Sequence, residues 1–279
     1  MAVTIIKIVS PLSYLVAVIF YWRYFTDRRA SDLHIARYVE SAAMVIHLAL
    51  LIILGLGSGH VPLAGPFQAL TTFMLFFALL NKLLIHDGRE YTLGVFQTAV
   101  LFIMQTIAMI FLNISAPLPE VLHNIYFEIH VLLNLIGYAS FSSAFLAGIM
   151  YLLLYHEIKG SHLGYFYDRL PSLAYLEQLN LRAIVIGFIF NTVGIIIGVF
   201  TGKTAWGLYW AWDPKLSAVA VAWIIYAAAI LGVRYFHWKG NRLAYLSIIG
   251  FAWILFSMLI INNYFSKIHS FISYAYCRL

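Results

Sequence analysis

Residues Trp206 to Lys215 read WGLYWAWDPK, three tryptophans, a tyrosine and an aspartate within ten residues. The segment is unsuited to hydrocarbon, because Asp213 and Lys215 would be costly there and Pro214 removes a backbone donor. Long apolar runs nevertheless flank it on both sides. It therefore reads as a loop at the water-lipid boundary, joining two membrane spans. An ordinary aromatic belt scatters its indoles singly over several helix ends, whereas these are concentrated in one place.

Working outward, the composition fixes the class. With 63% hydrophobic residues, 10% charged residues and a mean hydropathy of +0.89, the chain falls far below the ~25% charge of a soluble domain. Eight apolar stretches approach the ~20 residues needed to cross a bilayer, at about 3–22, 40–57, 66–85, 91–113, 127–155, 182–201, 216–235 and 243–263. We expect an all-α integral membrane protein of about eight transmembrane helices, with an outer-face tryptophan-rich loop at about 202–215. The first stretch ends in Tyr21-Trp22-Arg23 without a small-residue cleavage pattern, so it reads as a span and not a signal peptide. No repeat or long linker divides the sequence, which makes residues 1–279 a single polytopic domain.

The formal charge of +6 does not point to nucleic acid, since no basic run or nucleic-acid fold signature accompanies it. Topology explains it better. With the N-terminus outside, all but five of the 17 lysines and arginines fall on inner loops, the exceptions being Lys7, Lys203, Lys215, Lys267 and Arg278. Both termini and the tryptophan loop are then extracytoplasmic. Cys277, the one cysteine, excludes an internal disulfide, and the absence of CxxCH excludes a covalent c-type haem on this chain.

This orientation sorts the histidines. His34, His86, His156, His162 and His237 lie on the inner side, where nothing converges on them. His60, His123, His130 and His269 share the outer side with the tryptophans, and His47 lies within the second span. A haem ring needs aromatic surface and accepts two axial imidazoles. His130, opening the fifth span in FEIHVLLNLIGYASF, and His269, following the eighth in NNYFSKIHS, are the candidate pair. His60 and His123 compete for that role. His47 is either a buried hydrogen-bonding residue or part of a second haem site.

These residues carry a resemblance. The run GFIFNTVGIIIGVFTGKTAWGLYWAWDPK is similar to the WWD domain of the haem-handling membrane proteins, most of all the CcsA or ResC type of cytochrome c biogenesis protein. HLALLIILGLGSGHVPLAGPFQAL, EIHVLLNLIGYASFSSAFLAG and GFAWILFSMLIINNYFSKIHS extend the likeness over nearly the whole chain. It implies a platform for noncovalent haem b at the outer face of a bacterial inner membrane or a thylakoid-type membrane. His130 and His269 match the axial ligands, and Trp206, Trp210, Trp212 and Asp213 match the haem-contacting loop. It further implies a ResB/CcsB-type membrane partner and an apocytochrome c client, whose CxxCH thiols add to the haem vinyl groups. As a subunit of such a synthase the chain would be a haem lyase component.

Three positions depart from the family pattern. Lys215 is followed by Leu216-Ser217 where members continue Glu-Thr-Trp, Leu231 stands where a histidine is usual, and Phe200 where a tryptophan is common. They leave two related readings beside the synthase: a HemX-like regulator of haem biosynthesis, and a CcmC-like haem delivery protein.

Overall fold

A computed structural model describes residues 2–63, 65–85, 88–112, 124–160, 164–206 and 213–265. Its elements are helices: α1 Ala2–Asp27, α2 Ala30–Ser58, α3 Pro66–Leu84, α4 Gly94–Phe111, α5 Ile125–Lys159, α6 Leu173–Trp206, α7 Pro214–Phe236 and α8 Asn241–Phe256. A short 3-10 segment, Gly88–Leu93, leads into α4, and a π-helical stretch, Ser257–Phe265, continues α8. Among the described residues, eight helical segments are long and apolar enough to cross a membrane. The chain is an all-α multi-pass membrane protein.

Helices outrun the hydropathy spans. The second helix starts at Ala30 and the sixth at Leu173, about ten residues ahead of the apolar runs. Apolarity reports only the length in contact with lipid. The i to i−4 hydrogen-bond ladder continues wherever no proline or glycine interrupts it, and both extensions lack one.

The helices form two compact units. The first comprises residues 1–118 and 153–173, the second 119–152 and 174–279, and α5 passes from one into the other. In the first, α1 to α4 enclose two polar layers with an apolar layer between them. The deeper polar layer is a chain of hydrogen bonds. Tyr14 Oη lies 3.1 Å from His47 Nδ1, and His47 Nε2 lies 2.9 Å from Thr71 Oγ1. Thr71 donates to Gln105 Oε1 at 3.0 Å, and Gln105 Nε2 donates to Ser10 Oγ at 3.1 Å. Every member is buried, as a polar group inside a bilayer must be unless it meets water. Buried Ala17, Ala43, Ala78 and Leu101 form the apolar layer. Beyond it lies the second polar group, Tyr21, Glu40, Asn81 and Gln97.

In the second unit, glycines decide the packing of α5 on α6. A Cβ on Gly187 would come within 2.6 Å of the Phe141 ring and 2.9 Å of the Gly137 carbonyl oxygen, and one on Gly137 within 3.0 Å of Asn191. Close approach of small residues is the means by which spans associate where lipid removes the hydrophobic drive. Two indoles brace the remaining helices: Trp223 Nε1 donates to Thr192 Oγ1 at 2.9 Å, and Trp253 Nε1 to the Ala218 carbonyl at 2.8 Å. Glu177 accepts from the Gly240 amide at 3.0 Å, tying the α7–α8 turn to the start of α6.

Gly187→Ala tests this packing. Alanine is favoured over glycine in a helix by up to ~1 kcal/mol, but here its methyl meets a backbone carbonyl that cannot rotate away. Overpacking costs about 1–3 kcal/mol and should prevail. Thermal unfolding in detergent should show a lowered Tm; an unchanged or raised Tm would contradict the close α5–α6 approach.

Candidate functional site

The site begins with two helix starts in the second unit. Asn124 caps α5: its side-chain oxygen accepts from the Tyr126 amide at 2.9 Å, and its carbonyl accepts from the Phe127 amide at 2.9 Å. Five residues into the helix stands His130. At α7, Asp213 has extended backbone angles and is the N-cap, accepting from the Lys215 amide at 2.8 Å, with Pro214 in the first helical position. The WDPK ending is thus also the start signal of a helix. Asp213 is buried, 4% exposed, and its expected place in a haem-contacting loop coincides with this capping role.

His130 is held from one side. Its Nδ1 lies 2.7 Å from the carbonyl oxygen of Gly194 on α6. A carbonyl oxygen only accepts, so Nδ1 carries the proton and Nε2 keeps its lone pair. The Asn134 amide nitrogen is 3.2 Å from the same Nδ1, a contact that would demand the opposite tautomer. The shorter approach of the carbonyl decides between them, because Asn134 is satisfied elsewhere. Its nitrogen donates to the His130 carbonyl at 2.7 Å, and its oxygen accepts from Asn191 Nδ2 at 2.8 Å. Gly194 and Gly198 make room for this arrangement. A Cβ on Gly194 would lie 2.7 Å from the Asn134 amide, and one on Gly198 would overlap the imidazole itself.

The result is a histidine of fixed tautomer. Among the described residues Nε2 has no hydrogen-bond partner, the condition for donating to a metal; a carbonyl on the other ring nitrogen is the usual second partner of a ligating histidine. These residues fit an axial ligand for haem iron.

The other expected site residues fall differently. His47 has hydrogen bonds on both ring nitrogens, so neither could ligate without breaking the buried layer. His60 follows the left-handed Gly59 that ends α2, and its Nδ1 lies 2.8 Å from the Val61 carbonyl oxygen. Trp206 ends α6, but its side chain, together with Trp210, Trp212, His123 and His269, lies outside the described residues. Leu231 is half exposed on α7, 51%, and Phe200 is 62% exposed on α6.

A family model described as "Cytochrome C assembly protein" matches residues 6–269. The chain belongs to the cytochrome c assembly protein family. Its relatives include the cytochrome c biogenesis protein CcsA of Guillardia theta, 26% identical over 94% of each chain. CcsA of Chlamydomonas reinhardtii is 28% identical over 85% of this chain and 68% of its own length, and CcsA of Synechococcus sp. (strain CC9605) 25% identical over 90% of each. This family member therefore acts in cytochrome c biogenesis, as its tryptophan-rich segment suggested.

Asn134, Asn191, Gly194 and Gly198 were not singled out from the sequence. A signal for them exists. Gly194-Ile195-Ile196-Ile197-Gly198 is a GxxxG pair, the pattern that lets two spans touch, and Gly187 lies seven residues before it. On α5, His130, Asn134, Gly137 and Phe141 follow the same 4-3-4 helical spacing.

Histidine-selective nitrogen NMR of the detergent-solubilised protein should show the His130 imidazole, identified by the signal that is lost in His130→Gln, as the Nδ1–H tautomer. Gly198→Ala should displace the ring and yield a mixture of tautomers. A His130 signal of the Nε2–H form in the unmodified protein would reverse the assignment.

Proposed function

We propose that this protein holds haem b noncovalently at the extracytoplasmic face of its membrane and presents it to apocytochrome c. The observation that carries the reading is His130, whose Nδ1–H rests on the Gly194 carbonyl and whose Nε2 lone pair is left for iron. His269 is the proposed second axial ligand. Trp206, Trp210 and Trp212 supply the aromatic surface, in the loop that Asp213 closes by capping α7.

When bound, haem supplies vinyl groups to which the client's CxxCH thiols add, and the chemistry belongs to cofactor and client. This chain's contribution is placement. The carbonyl of Gly194 holds the imidazole neutral at Nε2 and fixes its plane; Asn134 and Asn191 keep α5 and α6 in register while the client approaches. A ring pinned on its far side would keep one orientation whether or not haem is bound. Lys215, in the first turn of α7, is the proposed cation for the haem carboxylates. A ResB/CcsB-type membrane protein is the proposed partner in this synthase, in a bacterial inner membrane or a thylakoid-type one.

The test is spectroscopic. The chain purified with its partner should show low-spin bis-histidine bands, oxidised and reduced. His130→Ala and His269→Ala should each lower haem occupancy or shift the spectrum, and added imidazole should restore it. Identical spectra in both variants would rule out the ligand pair. Coexpression with an apocytochrome should give covalently attached haem in the wild type only.

A further inference from the structure

The first unit contains a cavity of about 270 Å³ that the haem site does not use. It lies at the end of the bundle where α2 begins, α3 ends and α4 begins. Tyr21, Arg37, Glu40, Asn81, Lys82 and Gln97 are among its lining residues. Counting ~1.5 Å per residue from the middle of the apolar runs 40–57 and 66–85, Glu40 lies about 13 Å out, Arg37 about 17 Å, and Lys82 about 10 Å with a long side chain that reaches further. The hydrocarbon half-thickness is ~15 Å, so this is the boundary between acyl chains and headgroups. The buried Ala17, Ala43, Ala78 and Leu101 separate it from the His47 layer, so it is a chamber closed at its inner end and not part of a continuous polar path.

Its charges are unevenly engaged. Glu40, 6% exposed, accepts from Tyr21 Oη at 2.8 Å and pairs with Lys82 Nζ at 3.9 Å. Lys82 also donates to Ser41 Oγ at 2.6 Å. The amides are satisfied, since Gln97 Nε2 donates to Asn81 Oδ1 at 2.8 Å and Asn81 Nδ2 to the Phe77 carbonyl at 2.8 Å. Arg37 differs. Its guanidinium carbon lies over the Tyr91 ring, 4.4 Å from the centroid, and the group makes no hydrogen bond or ion pair among the described residues. A cation held over a ring keeps its N–H donors, and their fork matches two oxygens of a phosphate or carboxylate. With Glu40 and Lys82 cancelling, the described lining residues carry a net charge of one, positive.

We propose that this cavity binds the phosphodiester of an anionic phospholipid, with Arg37 as its two-pronged contact. A phosphodiester carries one negative charge at neutral pH, which equals the charge left over in the lining. Basic pockets between spans at headgroup depth recognise lipids in this way. Gly94, the first residue of α4, also lines the chamber and adds no side chain to it.

Protein stripped of lipid in a neutral detergent is titrated with phosphatidylglycerol and, separately, phosphatidylcholine, with bound lipid read by native mass spectrometry. Wild type should prefer phosphatidylglycerol by about tenfold, the scale of one well-placed charged contact. Arg37→Gln should abolish the preference. The double variant Glu40→Gln/Lys82→Gln, which keeps the net charge, should retain it. Arg37→Lys, preserving charge without the planar fork, should reduce it and serves if the glutamine variant does not fold. Equal binding of both lipids by wild type, or an unchanged preference in Arg37→Gln and Arg37→Lys, would overturn the proposal. Inorganic phosphate at matched concentration should displace no lipid; displacement would assign the site to a soluble phosphate and overturn the lipid assignment.

Discussion

The hydrogen bond from His130 Nδ1 to the Gly194 carbonyl is the contact on which the functional reading depends, and it depends in turn on how closely two helices can approach. A helical carbonyl is normally screened by the side chains around it. Here Gly194 and Gly198 have none, so an imidazole on α5 reaches the α6 backbone and uses the second lone pair of an oxygen already inside the helical ladder. On α5 itself the Asn134 amide, near the same nitrogen, would select the opposite tautomer.

The same constraint runs through both units. In hydrocarbon each polar group must find a partner within the protein, and the two units solve this differently. The first gathers its polar side chains into two discrete layers, one spanning Ser10, Tyr14, His47, Thr71 and Gln105, the other built around Glu40. The second places a short chain, Asn191 to Asn134 to the His130 carbonyl, directly behind the candidate ligand. A histidine that is fully hydrogen-bonded, like His47, is a structural element. One bonded through Nδ1 alone to a carbonyl, like His130, keeps the second nitrogen that ligation would need. Two histidines within spans are thus engaged in different ways by their neighbours.

The WDPK segment joins local structure to function. Aspartate before a proline is a strong helix start, because the carboxylate takes an orphan amide and proline has none to lose. Asp213 uses that chemistry to begin α7 at the point where the tryptophan loop ends. Helix nucleation therefore sets the position of Asp213, and that position follows from the α7 packing, through Trp223 and Trp253, against α6 and α8.

The sequence by itself determined the class, the eight spans and the family, since lipid solubility is a property of composition and the tryptophan loop is contiguous in the chain. It also marked His130 and Asp213. It overlooked the GxxxG pair of Gly194 and Gly198, although that spacing was there to read, because glycine's meaning is relational: only a neighbour shows whether a missing Cβ is used. Tertiary structure alone decided the tautomer of His130, the closed hydrogen bonding of His47, and the chamber in which Arg37, Glu40 and Lys82 meet. Each of these joins residues tens of positions apart on different helices, and the physical quantity that settles each is a distance between side chains, which no single helix encodes.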